Sequence, residues 1–254
     1  MSENLVEASI QGTVLVLEMK DPAARNALSR RMLSGLADAV EGAGADILGI
    51  VITGAAGCFS AGADFRELKG TRQDLEYDEA VAGLVASLLA SDRIVVAAIE
   101  GPCMGAAADI ALACDYRIAG EGSFMQIPAV RLGLLYNPEA IDRLRRRHRA
   151  DTVARLLLAG ERFDTRAAHD AGLFSRVVPQ GDAVRIALED LRKLEGRHSQ
   201  AVRATKRLLA DLEAGQADMD RWQACRVELL DSEPRRLAIQ QAHERFVNKP
   251  GTHR

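Results

Sequence analysis

Two segments combine a buried strand with a glycine-rich turn, a pattern that can present backbone amides to a negatively charged oxygen. Residues 51–68 contain Gly54, Gly57 and Gly62, and residues 94–109 pass through a turn into a helix of small residues. Both patterns predict a buried strand that ends where the backbone must approach something closely. The first amides of a helix have no internal partner. Two such amides aimed at one point would form an oxyanion hole.

The same segments carry a family resemblance. Residues 57–64 read GCFSAGAD and residues 66–68 read REL, and together they resemble the first signature of the crotonase family (enoyl-CoA hydratase/isomerase). Residues 101–107, GPCMGAA, resemble the second signature, which usually has three consecutive glycines. Residues 25–28, RNAL, resemble a third. The similarity continues through residues 156–179 and 205–209, so it spans nearly the whole chain.

The resemblance implies a fold and a substrate class. The implied α/β fold is a crotonase-like spiral of ββα turns over residues 1–198, with a C-terminal helical region over residues 199–254. In the family these last helices pack between subunits, so we expect a homotrimer or a dimer of trimers. The implied ligand is an acyl-CoA thioester, with no cofactor other than the coenzyme A of the substrate.

The resemblance also places two oxyanion donors. By position they are the backbone N–H groups of Ala63 and Ala106, which would polarise the thioester carbonyl. Losing one such donor typically raises a barrier by about 2.7–4 kcal/mol. The alternative is that both segments are only tight turns.

The acid and base positions depart from the family pattern. Hydratases of the family hold one water between two glutamates. Here Asp109 stands at the first glutamate position and Ala129 at the second. Because alanine cannot transfer a proton, hydration by two carboxylates is in doubt. The alternative role for Asp109 is a helix-face carboxylate that caps a neighbouring loop.

A third family position lies in the loop that follows Gly133. Some isomerases and dehalogenases have an aspartate there, and this chain has Asn137, whose amide can orient a group but cannot act as a base. Tyr136 and Glu139 are adjacent in sequence and could supply a donor or a carboxylate. Acidic residues are favoured in a first helical turn in any case, which is the alternative for Glu139.

The expected coenzyme A contacts are only partly present. Arg25 and Ala61 match positions that lie near the nucleotide and pantetheine in the family. The C-terminal helix normally adds an aromatic residue and a lysine, where this chain has Ala238 and Gln241. The alternatives are weaker coenzyme A binding, or binding organised by a different residue, for which the candidates are Arg235, Arg236 and Arg245.

Two functions remain open at this point. The first is an enoyl-CoA hydratase or isomerase, which Asp109 favours. The second is an acyl-CoA-binding homologue without turnover, which Ala129 and Asn137 favour. Asp64, Glu67 and Asp115 are interpreted as structural hydrogen-bonding groups.

Composition excludes several other classes. The 254 residues carry a net charge of −3, so no basic excess indicates nucleic-acid binding. The N-terminus has no signal-peptide pattern, and no apolar run approaches a membrane span. The four cysteines form no CxxC pair, which favours a reduced, cytoplasmic protein. The histidines lack ligand spacing, so no metal is predicted.

Periodicity predicts the elements that position these residues. A hairpin is expected over residues 5–19, a helix over 29–40 capped by Ser29, and a strand over 47–53. After a short polar helix at residues 64–67, we expect a helix over 74–90, a strand over 94–99 and a helix over 105–114. Strands follow over 116–119 and 124–130, and from residue 139 onward nearly everything is expected to be helical. The arginine-rich run 143–149 is interpreted as a solvated helix face, with contacts to coenzyme A phosphates or to a partner subunit as the alternative.

Overall fold

The computed structural model describes residues 4–194 and 199–247. The chain forms two compact units, Met1–Arg192 and Lys193–Arg254. The predicted boundary at residue 198 belongs to a segment outside the described residues.

The first unit contains strands and helices in alternation, and the second contains helices. The strands of the described residues are β1 Val6–Gln11, β2 Val14–Met19, β3 Gly49–Gly54, β4 Ile94–Ile99, β5 Pro102–Met104, β6 Tyr116–Gly120, β7 Phe124–Gln126, β8 Phe163–Asp164 and β9 Arg176–Val178. The helices are α1 Arg30–Glu41, α2 Leu75–Ala90, α3 Ala106–Ala113, α4 Pro138–Arg147, α5 Ala150–Leu157, α6 Thr165–Asp170, α7 Ala183–Arg192, α8 Ser199–Glu213, α9 Met219–Leu230 and α10 Glu233–Val247.

The main sheet has six strands in the order β1-β2-β3-β4-β6-β9. β1 and β2 form the predicted antiparallel hairpin around Gly12, and every later pair in this sheet is parallel. Parallel neighbours need a crossover between them, and α1, α2 and α3 supply three of these. Consecutive strands therefore end at the same edge of the sheet, which brings their following turns together.

Alternating side chains cover the two faces of this sheet. Ile50 and Ile52 belong to a core cluster that includes residues of α1, α2 and α3. Val51 and Val96 belong to a second cluster, in which the buried face of α7 packs. Because both faces are covered, the central strands are apolar on both sides, as buried parallel strands usually are.

A second, three-stranded sheet has the order β5-β7-β8. β5 pairs with β7 in parallel, and β7 pairs with β8 antiparallel. β4 leads through Gly101 directly into β5, and β5 leads through Gly105 into α3. This path carries the second glycine-rich segment from one sheet to the other.

The second unit is helical in the described part. Trp222 on α9 is buried, and its indole N–H donates to Asp211 of α8 at 2.9 Å. Several large apolar side chains of this unit remain exposed: Leu209, Leu212, Met219, Val227, Leu230 and Ile239. No helix among the described residues is both long and apolar enough to cross a bilayer.

Three expectations from the sequence were wrong in detail. Residues 64–67 form turns rather than a short helix. The strand predicted over 124–130 ends at Gln126, and Ala129–Leu132 forms a 3-10 turn. The region after residue 139 is not wholly helical, because it contributes β8 and also β9, the edge strand of the main sheet.

Candidate active site

The loop after β3 is fixed by a buried asparagine. Asn26 is fully buried, and its side-chain NH2 donates to the carbonyl oxygens of Ala55 at 3.0 Å and Cys58 at 2.6 Å. Its Oδ1 accepts from the backbone N–H of Asp21 at 2.9 Å. A protein side chain, and not water, therefore satisfies both carbonyl oxygens of the loop. The RNAL segment therefore braces the first glycine-rich segment.

The two glycine-rich segments are held against each other by backbone contacts. The N–H of Ser60 donates to the Pro102 carbonyl at 3.0 Å, and the N–H of Met104 donates to the Ser60 carbonyl at 3.2 Å. Gly62 has a φ of +92°, and a Cβ built on it would lie 2.6 Å from the carbonyl oxygen of Met104. Only glycine fits this position without a shift of the backbone.

The two predicted donor amides lie just beyond this contact. Ala63 follows Gly62 and forms an isolated parallel bridge with Leu28, while Ala106 is the first residue of α3. Within residues 4–194 and 199–247, no hydrogen-bond acceptor is recorded for either N–H. Both residues are half-buried. Two backbone donors without partners thus remain beside the packed turn, as an oxyanion site requires.

A cavity of about 110 Å³ opens beside the N-terminus of α3. It contains five residues that the sequence singled out for chemistry, together with part of α2 and one arginine. The lining residues are Asp78, Val81, Ala82, Val85, Ala86, Leu89, Ala106, Asp109, Leu134, Tyr136, Asn137, Glu139, Ala140 and Arg143. One donor amide, the candidate carboxylate and the loop before α4 are therefore brought together.

Asp109 is a buried carboxylate that forms an ion pair with Arg143. It lies on the first turn of α3, is 4% exposed, and its Oδ1 accepts a hydrogen bond from Nη2 of Arg143 on α4. Burial raises the pKa of this carboxyl above its ordinary value, while the Arg143 charge and hydrogen bond act in the opposite direction. A carboxyl whose pKa is moved toward neutrality is suited to exchange protons with a substrate.

Tyr136 is half-buried and donates its hydroxyl to the carbonyl oxygen of Gly105 at 3.3 Å. Desolvation, followed by the nearby Asp109 charge, raises the pKa of this phenol well above its ordinary value. The hydroxyl therefore stays protonated at neutral pH. It can donate a hydrogen bond, and it contacts the residue that precedes the first amide of α3.

Asn137 and Glu139 occupy the start of α4. Oδ1 of Asn137 accepts from the backbone N–H groups of Glu139 at 2.9 Å and Ala140 at 3.1 Å, so Asn137 is the N-cap of this helix. Only its amide NH2 is left for a ligand. Glu139 lines the cavity but is exposed, as expected for a first-turn acid.

Ala63 and three further predicted site residues, Arg25, Ala61 and Ala129, do not line this cavity. Arg25 is exposed, and its carbonyl oxygen accepts from the N–H of Ala61 at 3.0 Å, so these two residues are neighbours. Ala129 is 7% exposed, within the 3-10 turn after β7. The position of the second family glutamate is thus a buried methyl group outside the lining.

The interpretation of residues 143–149 as a solvated helix face was wrong for Arg143. Its side chain is 9% exposed and forms the ion pair with Asp109, whereas Arg145 and Arg146 are exposed and pair with Asp142. Sequence reasoning missed Arg143 as a site residue. The available signal was its spacing from Ala140 and Leu144, both buried on the same face of α4.

Asp64 and Asp115, both interpreted as structural residues, have hydrogen-bonding partners. Asp64 is buried, and its carboxylate accepts from the backbone N–H and the guanidinium of Arg66, which lowers the pKa of that carboxyl. Oδ2 of Asp115 accepts from the N–H of Val95 at 2.6 Å, which confirms its structural interpretation.

Helix α10 contains four of the positions considered for coenzyme A contacts: Arg235, Arg236, Ala238 and Gln241. The side chain of the fifth, Arg245, is outside the described part. No cluster of metal-ligating side chains occurs among the described residues.

Comparison with known proteins gives a consistent result. The sequence model described as enoyl-CoA hydratase/isomerase matches residues 9–253. The chain is 34% identical over 211 residues to a 2,3-dehydroadipyl-CoA hydratase of Escherichia coli, covering 82% of each chain. It is 32% identical over 213 residues to an enoyl-CoA hydratase of Mycobacterium tuberculosis, covering 80% of this chain and 79% of that one. A crystal structure from Hyphomonas neptunium, assigned to the enoyl-CoA hydratase/isomerase family, superposes with a TM-score of 0.86 at 27% identity, covering 99% and 98% of the two chains.

Proposed function

The chain belongs to the enoyl-CoA hydratase/isomerase family, and from this premise we propose that it binds an acyl-CoA thioester and transfers protons with Asp109. The thioester carbonyl accepts hydrogen bonds from the N–H groups of Ala63 and Ala106. The observation that carries the proposal is that Ala106 and Asp109, one turn apart on α3, line one cavity. A carbonyl held at the helix N-terminus would then lie beside the carboxylate.

The proposed chemistry proceeds through an enolate. In hydration, Asp109 takes a proton from water as the oxygen attacks C3, and the electron pair of the double bond moves onto the thioester. The protonated Asp109 then returns its proton to C2. In isomerisation, the same carboxylate removes a proton from C2 and delivers it to C4. One carboxylate balances either sequence, and the two amides stabilise the negative charge on the carbonyl oxygen.

The remaining predicted residues have supporting roles in this proposal. Tyr136, Asn137 and Glu139 line the same cavity as the α2 residues. Arg25 and Ala61 are proposed to contact the coenzyme A portion, since they adjoin the loop that ends at Ala63. Coenzyme A enters as part of the substrate, and no separate cofactor is proposed.

A second candidate function is acyl-CoA binding with little turnover. It is favoured by Ala129, which removes the second carboxylate of the family hydratases. In that case the two backbone amides would still bind a thioester, because they depend on no side chain.

Turnover and binding can be measured separately. Loss of the enoyl absorbance of crotonyl-CoA reports hydration, and calorimetry with saturated butyryl-CoA reports binding without reaction. Asp109→Asn is expected to lower turnover by about 10²–10⁴-fold, the usual contribution of one acid/base group, and to keep measurable thioester affinity. Asp142→Asn is the matched control, because Asp142 is a partly exposed carboxylate that pairs, among the described residues, with Arg145 and Arg146 of its own helix.

Three results would decide between the candidates. Wild-type turnover by Asp109→Asn would show that another group transfers the proton. Butyryl-CoA binding with negligible wild-type turnover would favour the binding protein. Absence of thioester binding to the wild-type protein would overturn both.

A further inference from the structure

Arg143 contacts the candidate base from a different helix, and we propose that it is the positioning residue of the site. It holds Oδ1 of Asp109 and leaves Oδ2 as the oxygen that exchanges the proton. This inference rests on the proposed function, because it assigns a partner to the same carboxylate.

The contact is specific in its atoms. Nη2 of Arg143 donates to Oδ1, and no hydrogen-bond partner of Oδ2 is recorded within the described ranges. Nε of Arg143 is fully buried and has no hydrogen-bond partner among the described residues, but Oδ2 of Asp109 is not such a fully buried, unpartnered atom. Oδ2 therefore keeps some accessible surface, and Asp109 lines the cavity. A ligand in the cavity would meet the unengaged oxygen.

The electrostatic surroundings require a cation at this place. Asp109 is buried, and isolated buried carboxylates are strongly destabilised in their charged form. The other titratable groups of the lining are Asp78 on α2, Tyr136 before α4 and Glu139 on α4. None of these can carry positive charge, so within the described lining Arg143 is the one cation that can stabilise an ionised Asp109.

The geometry of α4 makes the contact rigid. Ala140 and Leu144 are buried on the same face as Arg143, and Asn137 caps the helix with two backbone hydrogen bonds. The Arg143 side chain is 9% exposed, so its pairing with Asp109 is largely shielded from water. It therefore presents a fixed donor to a carboxylate that is itself fixed on the first turn of α3.

The test compares Arg143→Gln, which removes the charge, with Arg143→Lys, which keeps it. The control is Arg145→Gln on the exposed side of the same helix. The pH–rate profile with crotonyl-CoA and the thioester affinity are measured for each. A parallel ¹³C titration follows the carboxyl of Asp109, assigned by comparison with Asp109→Asn.

We expect the acid limb of Arg143→Gln to move to higher pH, because the opposite charge that favours ionisation is gone. For each protein, the activity at the low-pH end is divided by the activity on its own alkaline plateau. This ratio should be about tenfold lower for Arg143→Gln than for the wild type. Arg143→Lys should keep the limb near its wild-type position and lower kcat about tenfold with KM within about twofold, since lysine lacks the planar fork. Arg145→Gln should match the wild type throughout.

A structural role alone would give a different pattern. If Arg143→Gln lowers the rate equally at every pH with the limb unmoved, the proposal is wrong. If that variant does not fold, Arg143→Lys decides: wild-type kcat would overturn the positioning role. The carboxyl titration is independent of turnover, so an unmoved Asp109 titration in Arg143→Gln refutes the inference. A moved titration without turnover refutes only the proposed function.

Discussion

The hydroxyl of Tyr136 donates to the carbonyl oxygen of Gly105, which joins the loop before α4 to the start of α3 across 31 residues of sequence. Gly105 directly precedes Ala106, whose N–H is the proposed oxyanion donor. The phenol therefore helps to fix the orientation of this amide without contacting the oxyanion itself.

Removing this hydroxyl should have a modest effect. Tyr136→Phe is expected to lower the free energy of unfolding by about 0.5–1.5 kcal/mol, the usual net value of one hydrogen bond. Turnover should fall by about tenfold or less, with the acid limb unmoved, because the raised pKa keeps Tyr136 protonated throughout. Urea unfolding and the crotonyl-CoA assay measure the two effects. The control is Tyr116→Phe, on β6 and outside the cavity lining.

A larger loss would assign Tyr136 a different role. If Tyr136→Phe lowers turnover by about 10² or more while Asp109→Asn does not, the phenol is the acid/base group.

The contact between Gly62 and Met104 gives a second prediction. Gly62→Ala must place a Cβ 2.6 Å from the Met104 carbonyl oxygen at a φ of +92°. Gly122 has a similar φ of +83° with nothing within 4 Å of the added atom. Gly122→Ala should cost only the backbone strain, about 1–2 kcal/mol, and Gly62→Ala a further 1–3 kcal/mol for overpacking. Urea unfolding measures both variants.

The same pair of variants tests the donor site. Butyryl-CoA affinity should fall in Gly62→Ala and stay unchanged in Gly122→Ala. Only the backbone shift that the Cβ at position 62 forces would move the N–H of Ala63. Equal stability and equal affinity in the two variants would contradict the packing described for this turn.

How far the sequence predicts this arrangement depends on whether a signal is local. The Ser29 cap and the apolar spacing after it predicted α1 closely, and the range predicted for β4 was confirmed. The strand β9 was missed because it has only three residues and is defined by pairing with β6, some 58 residues earlier. Such pairing leaves no periodic signal in so short a segment.

The candidate site shows the same division between features with a local sequence signal and features that depend on long-range contacts. The glycine-rich turns identified the segments that contain Ala63 and Ala106, since backbone geometry constrains residue type there. Arg143 was missed because a run of arginines usually indicates a solvated face. Its partner Asp109 lies 34 residues away and is brought near only by the tertiary fold. No local pattern records that contact.

A third prediction concerns acid stability. Burial, together with the Arg117 and Arg147 charges, lowers the pKa of His148 to about 4. The unfolded chain, with an ordinary histidine pKa near 6.5, binds the proton more readily than the folded protein between these values. The free energy of unfolding should therefore decrease as pH falls from about 6.5 to 4, by about 1–2 kcal/mol once partial solvent screening is included.

His148→Asn should remove this part of the pH dependence, measured by urea unfolding at several pH values in that window. The matched control is His169→Asn, because His169 is an exposed residue of α6. An unchanged slope in His148→Asn would contradict the buried, uncharged state of this imidazole in the folded protein.

The last prediction concerns the second unit. Leu209 is 63% exposed and Leu212 is 52% exposed on α8, and Val227 is 50% exposed on α9. Large apolar side chains grouped in this way commonly mark an interface between proteins. We expect the protein to be a trimer or a dimer of trimers at micromolar concentration, measured by light scattering. Leu209→Glu should shift it toward smaller species, because a carboxylate buried in an apolar interface lacks a partner.

The control for this substitution is Ile10→Glu, which places the same charge on β1 of the first unit at a residue 66% exposed. Its assembly and its crotonyl-CoA turnover should remain those of the wild type. A monomeric wild-type protein at micromolar concentration would rule out the trimer. An unchanged mass for Leu209→Glu would instead show that α8 lies outside the contact, since an unpaired buried charge at an interface costs several kcal/mol and could not be tolerated there.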